Sequence, residues 1–420
     1  MKFKIGIERQ RQIYLDAIFG KKSSIPQNYN SLEQLCRQSL PEKYFNYIFT
    51  GAGDNCGVKN NQEAFKKYEI LPRWCRGLKD PDLSIHLCGY KLDFPILFAP
   101  IGVLELAHRH ADAELARASC GTRIPMIVSS QSSISLEHCA NIIRDVPWWF
   151  QLYFSQSKEL TQSFVRRAED AGASAIVLTL DTVMLGWRNL DLETAYLPFL
   201  EGKGIANYTS DPYFLACLEN EIISNESKGK PSLLHILKLF NSFPGNILDK
   251  LRSKNPIKAV QLFTRSYSRP ELNWDDIKWL RAQTNLPIFL KGILHAADAI
   301  KTVDTGCNGV IVSNHGGRQI NNNAASLDCL ADIRKNVDEN FPVILDSGIR
   351  SGTDIFIALA LGANAVSIGR PYVYAMHLAG HKGVEELMAN YISELKILMS
   401  LTGCANIEEI SRAGLVRCKT

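Results

Sequence analysis

Short, continuously apolar runs alternate with longer amphipathic stretches along the chain from about Pro95 onward. A run that is apolar at every position predicts a strand buried on both faces, as the strands of a parallel sheet are. Eight such runs predict eight strands, at residues 95–99, 125–128, 149–153, 175–180, 288–291, 309–312, 343–345 and 365–368.

Amphipathic stretches with helical spacing lie between these strands. The predicted helices cover residues 111–120, 158–171, 296–305, 327–337 and 353–361. Gly172, Gly306 and Gly362 follow three of them, and glycine is typical of helix C-termini. This alternation predicts an α/β protein, a (β/α)8 TIM barrel. The alternative is a doubly wound open sheet, which normally carries a Gly-rich dinucleotide loop after its first strand, and residues 99–103 form no such loop.

Two regions fall outside the repeating pattern. Residues 1–94 are predicted to form a largely helical N-terminal extension packed on the barrel, and residues 95–420 the barrel itself. Residues 190–273 form an insertion after the fourth strand, and connections of that length are usually functional. Its many Leu, Ile and Phe residues predict an ordered lid. Its amphipathic part, residues 222–258, is expected to pack on its own protein in preference to a membrane.

Composition narrows the functional classes. The chain has 420 residues, 46% of them hydrophobic and 21% charged, and its net charge of +4, small for this length, gives no reason to expect a nucleic-acid or anionic-lipid partner. The 11 cysteines include no CxxC pair, which favours reduced thiols and a cytoplasmic location. No signal peptide or membrane-spanning stretch is expected.

Polar residues follow nearly every predicted strand, where the active site of a barrel lies. His315 is the only histidine at a strand end, and histidine is a suitable general base near neutral pH. Asp181 could stabilise its protonated form, and Arg188 with Arg318 could hold a small carboxylate. The other candidates at strand ends are Pro100, Ile101, Gly102, Ser129, Gln151, Tyr153, Thr179, Lys291, Ser313, Asp346, Ser347, Gly348, Arg350, Gly369 and Arg370.

The ends of the seventh and eighth strands predict a phosphate site. Gly348 and Gly369 allow close approach of an anion, while Arg350 and Arg370 supply positive charge. The helix that begins at residues 351–353 is expected to offer free backbone amides. A phosphorylated cofactor or substrate is therefore predicted, whereas a metal site is not, because His108 and His110 lack further ligands nearby.

Several of these segments resemble the motifs of FMN-dependent α-hydroxy-acid oxidases and dehydrogenases. They are residues 149–153 (WFQLY), 290–292 (LKG), 313–319 (SNHGGRQ) and 346–354 (DSGIRSGTD), and the resemblance extends from about residue 40 to residue 411. It implies FMN at the mouth of the barrel and a homotetramer or octamer.

The resemblance also implies roles for the candidate residues. His315 would remove a proton from a 2-hydroxy acid, and Asp181 would stabilise the imidazolium. Lys291 would lie near N1 and C2=O of the flavin. The substrate carboxylate would be held by Tyr47, Tyr153, Arg188 and Arg318. The flavin ring would contact Pro100, Ile101, Gly102, Ser129, Gln151 and Thr179, and the remaining strand-end residues would complete the site for the ribityl chain and the phosphate.

A narrower resemblance is to lactate 2-monooxygenases. Residues 179–188 (TLDTVMLGWR) depart from the Asp-Thr-Pro pattern of most members, and Asn321 replaces a usual aspartate; residues 197–202, 207–212 and 326–330 show the same resemblance. It implies oxidation of L-lactate by O2 to acetate, CO2 and water, with a lid retaining pyruvate and Gly102 leaving space beside the flavin. The alternatives are an oxidase releasing keto acid and H2O2, a quinone-linked L-lactate dehydrogenase, and a flavin-binding protein without turnover.

Overall fold

The N-terminal part of the chain contains four helices and three short strands. The computed structural model describes residues 4–78, 80–221 and 255–419, together with Leu239 and Phe243. The helices are α1 (Ile7–Ile18), α2 (Tyr29–Ser39), α3 (Glu42–Phe49) and α4 (Cys56–Lys66), and the strands are β1 (Tyr68–Ile70), β2 (Ile85–Leu87) and β3 (Tyr90–Leu92). Strands β2 and β3 form an antiparallel hairpin. The segment predicted as largely helical thus ends in strands.

Eight parallel strands follow and form a closed barrel, which confirms the predicted fold. They are β4 (Ile96–Phe98), β5 (Ile127–Ser129), β6 (Trp149–Leu152), β7 (Ala175–Thr179), β8 (Ile288–Ile293), β9 (Gly309–Val312), β10 (Val343–Asp346) and β11 (Ala365–Ile368). Strand β4 pairs with β11, and a parallel bridge between Phe98 and Met126 closes the ring. The register places Ser129 beside Gln151, and Thr179 beside Lys291.

The helices between the strands form the outer layer. All five helices expected from the pattern are present, with bounds that differ by at most about two residues, as helix ends commonly do. Gly172, Gly306 and Gly362 have φ values of 80°, 76° and 102°, the left-handed conformation of a helix C-terminus. The helices before and after the insertion are α5 (Ala111–Thr122), α6 (Leu136–Ile143), α7 (Lys158–Asp170), α12 (Trp274–Arg281), α13 (Ala296–Asp304), α14 (Ser326–Lys335), α15 (Gly352–Ala360), α16 (Arg370–Thr402) and α17 (Ile407–Arg412).

The interior of the barrel is filled with side chains, and the β2–β3 hairpin closes its lower end. Trp149 and Phe289 stack inside the barrel with ring centroids 4.6 Å apart. Leu87 and Leu92 of the hairpin belong to the same buried cluster. The N-terminal ends of the strands are therefore plugged, which leaves the C-terminal ends as the open face. The last strand, β12 (Val416–Cys418), pairs with β1 and ties the C-terminal segment to the N-terminal part.

The insertion after β7 packs as an ordered layer where it is described. It contains α8 (Asn189–Glu193), α9 (Ala206–Thr209), α10 (Pro212–Asn220) and α11 (Asn255–Ser266). Tyr208 lies between Phe164 and Phe263, at centroid distances of 5.0 and 4.8 Å. The amphipathic segment at residues 222–258 lies mostly outside the described residues. In the part of the chain that is described, no helix has the length and apolar character needed to cross a membrane.

Candidate active site

A cavity of about 1200 Å3 opens at the C-terminal ends of the barrel strands. The predicted residues that line it are Tyr47, Pro100, Ile101, Gly102, Tyr153, Arg188, Lys291, His315, Arg318, Asp346, Ser347, Gly348, Arg350, Gly369 and Arg370. The remaining predicted residues, Ser129, Gln151, Thr179, Asp181 and Ser313, lie behind this lining and hydrogen-bond with it or with each other.

His315 and Asp181 form a hydrogen-bonded pair at the cavity. The distance from Nδ1 of His315 to Oδ1 of Asp181 is 2.8 Å, and Thr182 donates to the same carboxylate oxygen at 3.1 Å. Because Nδ1 is engaged by the carboxylate, Nε2 is the nitrogen of His315 that can accept a proton from a substrate. This arrangement is that of a general base held in one tautomer.

The environment keeps His315 neutral and Asp181 ionised. Burial lowers the pKa of His315, and the positive charge of Lys291 lowers it further, against the opposing effect of Asp181. Burial alone would raise the pKa of Asp181, but the hydrogen bond with His315 and the charge of Lys291 hold that pKa below its usual value. A neutral imidazole beside a carboxylate is ready to take a proton and to be stabilised once charged.

The backbone that carries His315 is in an unusual conformation. His315, Gly316 and Gly317 have φ values of 57°, 64° and 78°, and such a left-handed conformation is unfavourable for a residue with a side chain. Hydrogen bonds hold it in place: Ser313 Oγ accepts from the amide of His315 at 3.0 Å, and Ser347 Oγ accepts from that of Gly316 at 3.0 Å. The base is therefore positioned by two neighbouring barrel loops.

A buried amide pair joins this loop to the N-terminal part of the chain. Asn61 of α4 donates to Oδ1 of Asn314 at 2.7 Å, and Asn314 donates back to Oδ1 of Asn61 at 3.0 Å. Ala52 also donates its amide to the carbonyl of Gly317 at 2.9 Å. The N-terminal part thus supports the loop of His315 directly.

Two arginines, the buried Arg188 and the partly buried Arg318, lie beside His315 with little negative charge to balance them. Arg318 donates to the carbonyls of Tyr47 and Thr50, both at 2.7 Å. The nearest carboxylate to Arg188, that of Asp191, is 3.8 Å away. Burial, with Arg188 close by, lowers the pKa of Arg318 to about 9. A site with a surplus of buried positive charge is suited to bind an anion such as a carboxylate.

Lys291 is the centre of a second network at the floor of the cavity. It is buried, donates to Ser313 Oγ at 3.0 Å and lies 3.4 Å from Oδ2 of Asp346. Asp346 also accepts hydrogen bonds from Ser313 and Ser347. Burial would raise the pKa of Asp346, but the charge of Lys291 and these hydrogen bonds lower it. A fixed ammonium group is thus placed at the cavity wall.

One expectation for the phosphate site is wrong. The amides at the start of α15 are not free, because Glu394 of α16 accepts from Gly352 at 2.7 Å and from Thr353 at 3.2 Å. The N-terminus of α16 lies at the cavity, since Gly369 lines it and no side chain caps the first turn, although Pro371 has no amide hydrogen and the amide of Tyr372 donates to the carbonyl of Gly369. Backbone amides at such a terminus favour an anion.

Comparison with known proteins decides the family. A sequence model of the family described as FMN-dependent dehydrogenase matches residues 36–417. The chain belongs to the FMN-dependent α-hydroxy-acid oxidase and dehydrogenase family. An L-lactate oxidase of Lysinibacillus sphaericus is 38% identical over 396 residues, a match that covers 94% of each protein.

Other members are similar over the same length. An FMN-dependent alpha-hydroxy acid dehydrogenase of Penicillium citrinum is 33% identical, and the match covers 96% of this chain and 94% of that protein. The crystal structure of mandelate oxidase with (S)-4-hydroxymandelic acid superposes with a TM-score of 0.77 at 30% identity, covering 94% of this chain and 99% of the other. The cofactor of the chain is accordingly FMN.

The cavity of this family member fits FMN on independent structural grounds. Nε of Arg350 is buried without a hydrogen-bond partner among the described residues, and this donor would suit a phosphate oxygen. A Cβ added to Gly369 would lie 3.4 Å or more from other atoms, so there is room beside the terminus of α16. Lys291 supplies the positive charge that a reduced flavin ring requires. In the described part of the chain, no group of three or more metal-ligating side chains occurs.

Ser129, Gln151 and Thr179, which are expected to hold the flavin ring, lie behind the cavity lining. In this structure they form a chain of hydrogen bonds, with Ser129 donating to Gln151 at 3.2 Å and Gln151 donating to Thr179 at 3.0 Å. This chain fixes the orientation of the Gln151 amide. These hydrogen bonds therefore determine which donor and acceptor groups face the floor of the cavity.

Several cavity residues were missed from the sequence. Gln131, Thr182, Phe199 and Tyr267 all line the cavity. Gln131 follows the predicted residue Ser129 by two positions, and Thr182 follows Asp181 directly. Both would have been included if more positions after each predicted strand had been counted as candidates. Phe199 and Tyr267 belong to the long insertion, where no strand end marks the site.

Proposed function

We propose that this enzyme oxidises a short L-2-hydroxy acid, L-lactate in particular, with O2 as the oxidant and with acetate, CO2 and water as the final products. One observation carries this proposal. The neutral base His315, hydrogen-bonded to Asp181, lines the same cavity as Arg188 and Arg318. Such an arrangement can hold a carboxylate and remove the proton of the neighbouring hydroxyl group.

The substrate carboxylate would bind to Arg188 and Arg318, with Tyr47 beside them. The guanidinium of Arg318 lies 5.1 Å from the centroid of the Tyr47 ring, which keeps the two side chains together. The hydroxyl group would then point to Nε2 of His315. Leu185, Phe199 and Tyr267 give the outer wall an apolar surface, which suits a short alkyl side chain.

The residues of the chain handle the proton and the charge. FMN, when bound, accepts two electrons with the α-hydrogen and passes the electrons to O2. His315 takes the hydroxyl proton at Nε2, and Asp181 stabilises the imidazolium through the 2.8 Å contact at Nδ1. The first products are therefore pyruvate and H2O2.

Residues of the insertion at the mouth of the cavity support the further reaction. The 3-10 turn Pro198–Glu201 and the end of the insertion place Phe199 and Tyr267 over the cavity. Gly102, without a side chain, lets Gln131 pack closely against it at the cavity wall, since a Cβ at this position would lie 2.9 Å from Oε1 of Gln131. Pyruvate and H2O2 held together react to acetate, CO2 and water, so retention of pyruvate determines the final products.

The second candidate is an oxidase that releases pyruvate and H2O2. The observation in its favour is the 38% identity to a relative named L-lactate oxidase. The two candidates share substrate, cofactor and base. They differ only in whether pyruvate leaves before it meets H2O2.

Product analysis with catalase distinguishes the candidates. The FMN-loaded enzyme is supplied with L-lactate in air, with and without excess catalase, and acetate and pyruvate are quantified. Retained products are not accessible to catalase, so we expect one acetate per lactate in both reactions. Pyruvate accumulating in stoichiometric amount with catalase would establish the oxidase. Absence of O2 consumption with rapid reduction of a quinone analogue would establish a dehydrogenase.

The role of His315 is tested by anaerobic reduction of the flavin. We expect His315→Gln to bind FMN but to lose bleaching by L-lactate. His138→Gln is the matched control, since His138 is exposed on α6 and does not line the cavity. Substantial reduction in the His315→Gln variant would assign the base elsewhere. Light scattering of the same preparations tests the expected homotetramer or octamer.

A further inference from the structure

The N-terminal helix α1 faces solvent with its apolar side. Ile7, Tyr14 and Ile18 are 64%, 69% and 75% exposed, and Leu15 and Phe19 are 45% and 76% exposed. At 3.6 residues per turn, the four of these that lie within α1 fall on an arc of about 100°. Exposed large apolar side chains on one face of a helix, here an apolar stripe interrupted by Arg11, are unusual for a soluble surface and indicate a binding face.

The opposite side of α1 attaches to the protein through polar groups. Arg9 donates to Glu386 at 2.8 Å and to Asn390 at 2.9 Å, and the amide of Gly6 donates to Ser393 at 2.9 Å. All three acceptors belong to α16. None of the twelve residues of α1 is buried in the described structure. The apolar stripe therefore does not serve to hold the helix on its own chain.

The charge of this segment points to an anionic partner. Residues 1–24 contain six basic and two acidic residues, a surplus of four, which equals the net charge of +4 of the whole chain. The rest of the chain is therefore balanced. Lys4, Arg11, Lys21 and Lys22 are exposed and lie before, on and after the stripe. Apolar side chains flanked by basic residues on one helix are typical of helices that lie in a lipid interface.

We propose that α1 docks the enzyme on an anionic lipid surface. The apolar stripe enters the headgroup region, and the flanking lysines contact lipid phosphates. A lipid surface is favoured over a second copy of the chain, because contact between two α1 faces would bring two segments with a surplus of four positive charges together. The proposal is independent of the reaction catalysed.

Vesicle co-sedimentation of the FMN-loaded full-length enzyme tests this docking. Phosphatidylcholine vesicles are compared with vesicles containing roughly one third phosphatidylglycerol, at low and high salt. We expect binding to the anionic vesicles only, and weaker binding at high salt. The double variant Tyr14→Glu/Ile18→Glu should lower the vesicle–water partition coefficient by at least about tenfold, since two apolar groups that would enter the lipid become charged.

Ile300→Glu is the matched control, because Ile300 is 42% exposed on α13 and lies outside α1. It should bind vesicles like the unaltered enzyme, and all variants should keep their FMN content and lactate turnover. Absence of binding to anionic vesicles, or equal binding of the double variant, overturns the proposal. The unaltered enzyme could fail to bind vesicles while the double variant shows a lower molar mass than the unaltered enzyme in light scattering. These two results together would show that the apolar stripe of α1 contacts a second copy of the chain.

Discussion

Replacing Asp181 by asparagine tests how the enzyme stabilises the proton taken from its substrate. The amide oxygen of the new side chain could still accept the hydrogen bond from His315, so the perturbation removes mainly the negative charge. With the donor and acceptor atoms 2.8 Å apart, the charge centres are about 4 Å apart, and at an effective dielectric constant of about 20 their attraction is about 4 kcal/mol. This energy is absent before proton transfer and present after it, so its loss raises the barrier.

We therefore expect Asp181→Asn to slow reduction of the flavin by roughly a hundredfold to a thousandfold. The assay is stopped-flow measurement of flavin bleaching without oxygen at saturating L-lactate, with the FMN content of each preparation determined first. Asp275→Asn is the matched control, because its carboxylate is 90% exposed at the start of α12. A change of less than about fivefold in Asp181→Asn would refute the electrostatic argument.

Four further outcomes are expected. Activity on L-lactate should fall as the pH drops through the pKa of His315, since the base must be neutral, and burial places this fall below the usual value of 6.5; an acid limb that stays flat would contradict it. Arg318→Lys should raise the KM for L-lactate by about tenfold to a hundredfold, because the planar fork is lost; an unchanged KM would remove Arg318 from the carboxylate site. Gly102→Ala should raise the yield of pyruvate and H2O2, since its Cβ would lie 2.9 Å from Oε1 of Gln131 and displace this cavity-lining side chain. Unchanged products would show that the position of Gln131 does not control the retention of pyruvate. Glu201→Gln should also raise H2O2 release, because it weakens the 3.5 Å ion pair with Lys43 that connects the insertion to α3. The rate of flavin reduction should change by less than about twofold.

The barrel could be predicted because its strands are buried on both faces and leave uninterrupted apolar runs. The short helices α6 and α12 were harder, since eight residues give only two turns of periodicity. A local signal did exist for α12: Asn273 and Asp276 form a capping box, a spacing visible in the sequence. Sequence reading that weighs caps as well as periodicity would have found it.

The candidate site was predictable where its residues follow strand ends. Contacts between distant segments were not, because no local pattern marks them. Glu394 reaches back 42 positions to the amide of Gly352, which reversed the expectation for α15. Asn61 pairs with Asn314 across 253 positions, and no local sequence pattern links the two residues.

The amide pair of Asn61 and Asn314 has a consequence for dividing this protein into parts. Helix α4 supports the loop that carries His315. The barrel and the preceding helices therefore form one catalytic unit, although the base itself lies in the barrel. A barrel produced from residue 95 onward would lose Asn61 and the amide of Ala52 and leave the Asn314 side chain without its partner. Chimeras between family members should therefore exchange the α4 segment together with the loop after β9, as a matched pair.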